Sequence, residues 1–252
     1  MISTTTTTEC IAQPAESVQH RLRELENQLC VMPSVAARAI EMVNQPDCSV
    51  KDFAGVVMHD AKLATDVLAM ANSAAFAPKT PIASLDEAVV RLGFVQCRNL
   101  ILSSCIAASM KKLPLEQLWI RELLAQHSFT TAMAATHLNR ALNIGFQGEE
   151  FAAGLIHDFG RFLMAIISGD NFALADPMTF DDEASVLETE RAALQTDHCQ
   201  LGAWFAQKSQ LPAMLIDAVL HHHAPHTECT NRRLVALTAA ADHIANHLQR
   251  FE

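Results

Sequence analysis

Val18, Leu22, Leu25 and Leu29 recur at four-three-four spacing, which lays four apolar side chains along one face of a helix. Pro33-Ser34 restarts the chain, and Ala36, Ala39/Ile40 and Val43 define a second helical face that stops near Asn44-Gln45-Pro46. Signals of the competing strand period are few: there is no Tyr, Trp occurs twice, and alternating β-branched runs are scarce. Ala and Leu dominate, with only 8 Gly and 9 Pro in 252 residues. The expected fold class is therefore all-α. Ser49-Val-Lys-Asp52 and Ser84-Leu-Asp-Glu87 read as capping boxes or close variants, each placing a carboxylate in the positive first turn of a helix. The Ser84 helix runs through Val89 and Leu92, and Gly93 either ends it or permits close packing.

Lys111-Lys112-Leu113-Pro114 interrupts the pattern and divides the chain into halves, 17–112 and 113–252. A second helical set is expected over 115–142, 149–167, 183–208, 212–223 and 231–249, with a polar, acidic loop near 168–182. Residues 1–16, Thr-rich and unpatterned, read as a disordered tail.

A formal charge of −10 argues against a sequence-independent grip on nucleic acid, and 6% aromatic residues leave little for base stacking. Seven scattered cysteines without a Cys-x-x-Cys pair fit reduced, mostly buried thiols. The N-terminus has neither a basic n-region nor an apolar h-region. Apolar stretches such as Val67–Ala77 and Asn99–Met110 fall short of the roughly 18 residues that a membrane span requires. A cytoplasmic protein without a membrane partner is expected.

Ten of the twelve histidines lie after residue 120, and this asymmetry is the strongest chemical signal in the chain. His127, the doublet His157-Asp158, His198 and the run His221-His222-His223 fall on separate expected helices or helix ends, and Asp242 adds a carboxylate in the last one. Imidazole plus carboxylate suits Zn, Fe, Mn or Ni, and helical bundles hold metals by inward ligands from facing helices. A lone histidine is more often a surface or hydrogen-bonded residue, and His20, His59, His137, His226, His243 and His247 are read that way. His137 lies ten residues, about three turns, beyond His127 and cannot share a tight site with it. Phe151, Leu155 and Ile156 precede the doublet at helical spacing and Gly160 follows it, so the pair is expected within or at the end of a buried helix, where an uncompensated carboxylate is costly. Thr196 or Asp197 caps the helix of His198, and Gly202 permits close packing one turn later.

Gly154-Leu155-Ile156-His157-Asp158-Phe159-Gly160-Arg161 resembles the doublet segment of the HD superfamily of metal-dependent phosphohydrolases. Asp197-His198-x-x-x-Gly202, Leu211-Pro212, His222-His223-Ala-Pro225 and Ala241-Asp242 follow in that family's order. The first half is similar to the HDOD domain, the HD-related output domain of bacterial signalling proteins. It carries Met32-Pro33-Ser34 with Ala39-Ile40, His59-Asp60-x-x-Leu63, Ala71-Asn72-Ser73-Ala74-Ala75-Phe76, Ile82 with Glu87-Ala88, and Leu92-Gly93 through Arg98-Asn99-Leu100. The resemblance covers roughly residues 20–248. It implies an all-α fold in which a helical N-terminal subdomain packs on an HD-type helical bundle. It also implies a two-metal ligand set of His127, His157, Asp158, His198, His222, His223 and Asp242, with Asp158 bridging.

Three departures from the related HD-GYP phosphodiesterases bear on activity. Arg161 stands where the catalytic families usually have Lys, Leu123 stands one turn before His127 in place of a Glu, and no Gly-Tyr-Pro follows the histidine pair. The last argues against cyclic di-GMP hydrolysis. The favoured expectation is a signalling module that binds a partner protein or a nucleotide and retains a divalent transition-metal site of two ions. The first alternative is a metal-dependent phosphohydrolase, with Asp158 central and Arg161 stabilising charge on a phosphoryl group, unless Arg161 forms only a surface ion pair. The second alternative is a purely structural metal.

Overall fold

The computed structural model describes residues 11–24, 34–43, 45, 47–73, 78, 80–176, 178 and 185–250. All regular structure among them is helical, in fourteen α-helices and one 3-10 turn. The chain forms two compact units, residues 31–109 and residues 110–252 joined by 1–30.

The 31–109 unit contains α2 (Ser34–Val43), α3 (Val50–Val57), α4 (Ala61–Ala71), α5 (Leu85–Leu92) and most of α6 (Phe94–Lys112). Its core is hydrocarbon: Ala36, Ala39, Phe53, Val57, Leu63, Val67, Ala88, Val89 and Ile101 are all buried in one cluster. Both expected serine caps form, with Ser49 accepting from the Asp52 N–H and Ser84 from the Glu87 N–H. Asp60 caps α4 by accepting from the Lys62 and Leu63 N–H groups, so this His-Asp pair serves helix initiation. Gly93, at φ +78°, ends α5, and a Cβ there would meet nothing within 4 Å, so termination rather than close packing explains it. The Asn72 side chain donates to the Ile82 carbonyl at 2.9 Å and accepts from its N–H at 2.8 Å, tying the end of α4 to the segment before α5. Leu25, Leu29, Met32, Pro33, Asn44, Pro46 and Ala74–Phe76 lie outside the described residues.

The other unit contains α1 (Glu16–Glu24), α7 (Leu118–Ala141), α8 (Glu149–Ile156), α9 (Phe159–Ser168), α10 (Phe172–Ala175), α11 (Ser185–Leu194), α12 (His198–Lys208), α13 (Ala213–His221) and α14 (Arg232–Gln249). Helix α7 packs on α8 and α14, and α12 packs on α9 and α13.

The boundaries differ from the sequence reading in three ways. First, α1 belongs to this unit and not with 31–109: Val18 and Leu22 are buried, and the Arg21 guanidinium donates to the Ile167 carbonyl at the end of α9. Second, residues 11–15 are packed and not a tail. Ile11 and Pro14 are buried, the Ala12 N–H donates to Gln200 Oε1 at 3.0 Å, and Trp204 Nε1 donates to Gln13 Oε1 at 3.1 Å. Third, the helices expected over 149–167 and 183–208 are each broken in two, at His157-Asp158 and at Gln195–Asp197, where Asp197 caps the His198 helix as expected. The apolar stretch Glu149–Ser168 is long enough to cross a bilayer by length and composition, but most of it is buried in the fold, as befits a core element.

Candidate metal centre

The break between α8 and α9 lets two adjacent side chains serve one site. In a continuous helix neighbours diverge by about 100°. Here His157 closes α8 while Asp158 (φ −98°, ψ 15°) opens α9 without using its carboxylate as a cap. The preceding loop is pinned by Asn139, whose side chain accepts from the Gly145 and Phe146 N–H groups and donates to Glu150 Oε1 at 2.9 Å. Small residues then bring the helices together. A Cβ on Gly154 would lie 2.6 Å from the Ala132 backbone of α7, and one on Gly160 only 1.9 Å from the His198 carbonyl of α12. Gly202 meets Gly160 from the other side, so close packing there is realised as expected.

The seven residues expected from the sequence converge in two groups around Asp158. On one side, His127 Nε2 lies 3.5 Å from Asp158 Oδ2 and 3.0 Å from Asp242 Oδ1, while His157 Nε2 lies 3.7 Å and 3.4 Å from the same two atoms. On the other, His198 Nε2 and His222 Nε2 lie 3.3 Å and 3.4 Å from Asp158 Oδ1. The His223 ring centroid is 5.0 Å from that of His198 and 4.4 Å from that of His222. Six of the seven are buried; His223 is exposed.

What each imidazole does with its other nitrogen decides what the cluster can hold. Nδ1 lies 2.6 Å from Gln249 Oε1 in His127, 2.8 Å from the Gly154 carbonyl in His157, 2.8 Å from Glu190 Oε1 in His198, and 2.9 Å from the Val219 carbonyl in His222. Each of these is an oxygen acceptor, so each Nδ1 carries the proton and each Nε2 presents a lone pair inward. Yet the Nε2 atoms of His127 and His157 are 3.3 Å apart, as are those of His198 and His222. Facing lone pairs at that distance call for positive charge between them. Asp158 Oδ1 is likewise buried without a hydrogen-bond partner. The donor set fits a divalent cation.

The electrostatics agree. Burial opposes ionisation of Asp158, but His157, Arg161, His222 and His198 outweigh it and hold the carboxyl well below its usual range. Asp242 is also lowered despite burial, by the His127 and His157 imidazoles beside it. Burial disfavours charge on His198, yet Cys199 and Glu190 raise it well above the ordinary imidazole value; Cys199 and Asp158 similarly push His222 up to about 10. Without a metal the cavity draws protons, which a cation must displace.

Arg161 departs from both of its expected settings. It is buried, so it forms no surface ion pair, and its guanidinium is taken up by two carboxylates. Nε and Nη2 donate to Asp176 at 2.6 and 2.8 Å, and Nη1 donates to Asp158 Oδ2 at 3.0 Å. Asp176 is fixed in turn by the Met178 N–H. Asp176, Glu190, Gln249 and Cys199 had no place in the sequence reading. Glu190 lies in a stretch read as continuous with the His198 helix, and only the break at Gln195–Asp197 folds it back onto His198. Asp176 lies in the loop near 168–182, read only as polar and acidic.

Known proteins share this architecture. The HDOD domain profile matches residues 29–225. An HDOD domain protein of unknown function from Geobacter sulfurreducens has 25% identity and a TM-score of 0.67, over 91% of this chain and 78% of that one. A candidate phosphohydrolase from Shewanella amazonensis SB2B also has 25% identity, with a TM-score of 0.68 over 94% of this chain and 82% of that one. An uncharacterized protein of Treponema pallidum (strain Nichols) is 22% identical over 232 residues, 90% of this chain and 43% of that protein, so the chain spans less than half of that relative. With the profile matching most of its length, the chain belongs to the HDOD domain family.

Proposed function

We propose that this HDOD chain holds two divalent transition-metal ions across Asp158 and hydrolyses a phosphoester there, as part of a cytoplasmic bacterial signalling process. The observation that carries the reading is the division of the Asp158 oxygens between two donor groups, one of which includes the exposed His223. When bound, such a pair of ions lowers the pKa of water and neutralises phosphoryl oxygens during in-line attack. His127, His157, Asp158 and Asp242 would hold one ion; Asp158, His198, His222 and His223 would hold the other. Arg161 positions Asp158 rather than touching a phosphate, because its guanidinium is engaged by Asp176 and Asp158. Gln249 and Glu190 lock two of the imidazoles, and His223 marks the side from which a substrate can approach.

The likeness to a candidate phosphohydrolase supports hydrolysis. The missing Gly-Tyr-Pro favours a second reading, a signalling module that binds a partner protein or nucleotide and keeps the metals without turnover. Protein purified without an affinity tag, analysed for metal and assayed with bis(p-nitrophenyl) phosphate under Mn and Fe loading, separates the two. Two metal equivalents with turnover, both lost in Asp158→Ala, is the expected result. Two equivalents without turnover on this and a panel of nucleotide phosphoesters would favour the module.

A further inference from the structure

Cys199 follows His198 directly and is buried, but not among hydrocarbon alone: its Sγ lies 4.0 Å from His222 Nδ1. One donor atom from each of His198, Cys199, His222 and His223 lies within 4.8 Å of all the others. Asp158 Oδ1, which has no hydrogen-bond partner, faces His198 and His222 of the same group. The group around His127 and His157 offers only nitrogen and oxygen. The two sides of Asp158 therefore differ in softness as well as in exposure.

We propose that Cys199 supplies a thiolate to the second position, alongside His198, His222 and His223, so that the centre pairs a nitrogen/oxygen site with a sulfur-containing, zinc-preferring one. The inference rests on the metal-binding reading above and goes beyond its ligand set. Thiolate and imidazole together select Zn, whereas imidazole and carboxylate also admit Mn and Fe. On coordination the Cys199 S–H bond breaks, sulfur keeps the electron pair for the metal and the proton passes to solvent.

Cobalt distinguishes this proposal from the reading beneath it. Chelator-stripped, untagged protein titrated with Co(II) should develop a thiolate-to-cobalt charge-transfer band in the near ultraviolet in addition to visible ligand-field absorption. One equivalent of Zn should abolish the charge-transfer band first and leave ligand-field absorption from the other site. Cys199→Ser should lose the charge-transfer band and keep cobalt bound. X-ray absorption of the wild-type cobalt protein should show a sulfur neighbour, a measurement independent of how well the variant folds. Cobalt bound through nitrogen and oxygen alone, or a band that persists in Cys199→Ser, overturns the thiolate and leaves the metal centre standing. No cobalt uptake at all overturns both.

Discussion

The 31–109 unit buries hydrocarbon, whereas the unit of residues 110–252 buries charge as well as hydrocarbon. In the first, Phe53, Val67, Ala88 and Ile101 pack in one apolar cluster while Arg38, Lys51, Asp47 and Asp52 line an open groove. In the second, Asp158, Arg161, Glu190 and Asp242 are buried together with His127, His157, His198 and His222. Apolar burial contributes roughly 25 cal/mol per Å² wherever it occurs, so its loss is local and graded. Buried charges stabilise only in matched sets, and removal of one partner leaves another stranded. A single change should therefore reach the metal centre from the second unit but not from the first.

The largest effects test that directly. Asp176→Ala removes the carboxylate to which Arg161 donates twice, breaking a buried ion pair, and should cost about 3–5 kcal/mol in urea denaturation. It should also weaken metal binding, because the Arg161 guanidinium that positions Asp158 loses the anchor that Asp176 gives it. Phe53→Ala removes a fully buried ring and should cost a similar amount, about 3–5 kcal/mol. Metal content should stay unchanged there. Equal metal loss in the two variants, measured by elemental analysis at matched folded fraction, would erase the contrast.

Metal removal and pH come next. A ligand at a hundred times its dissociation constant stabilises a fold by about 2.7 kcal/mol, so chelation should lower the melting temperature of wild-type protein clearly and that of Asp158→Ala little. The pH dependence should change sign with loading. In the stripped protein, His222 with its pKa raised to about 10 contributes stability that is complete below the ordinary imidazole value and is lost as pH rises through the folded value. In the loaded protein the cations displace those protons, so the stabilisation due to metal grows with pH. Melting temperatures of stripped and loaded protein should diverge as pH rises; parallel curves would refute the competition between protons and metal.

Much of this second unit was legible in the sequence, and the reason is physical. Each expected ligand carries its own chemistry, and residues such as Gly154, Gly160 and Gly202 mark the close helix approaches that bring those ligands together. Helix existence was legible from apolar spacing, and the Ser49 and Ser84 starts from their hydroxyls. What escaped was set by tertiary contact. Neither break, at His157-Asp158 or at Gln195–Asp197, contains a proline; the Asp197 cap announces where the His198 helix starts, but not the turn before it, where Gln195 adopts the left-handed φ +58°. Without the second break Glu190 could not be paired with His198, and nothing in the polar, acidic loop near 168–182 singled out Asp176 as the partner of Arg161. The assignment of α1 depended on Arg21 reaching the end of α9, a contact 146 residues away in the chain.

The smallest effects compare like with like, one helix cap in each unit. Ser84 accepts from the Glu87 N–H at 3.2 Å, and Asp197 accepts from the Gln200 N–H at 2.8 Å. Loss of such a cap costs about 1 kcal/mol, so Ser84→Ala and Asp197→Ala should shift the urea midpoint to a similar, modest degree. The ion pair of Asp197 with Arg191 adds little, because Arg191 is largely exposed. The variants should separate on metal. Helix α12 begins at His198, whose N–H and Nδ1 both meet Glu190, so fraying of this turn moves a ligand and its support together. Asp197→Ala should weaken the second equivalent of metal by about tenfold and spare the first, as loss of an outer contact to a ligand does elsewhere. Ser84→Ala should bind both as the wild type does. A calorimetric titration in which the two caps behave alike would mean that α12 is held by the close packing of its first two turns, at His198 and Gly202, against Gly160, and that the cap only starts the helix.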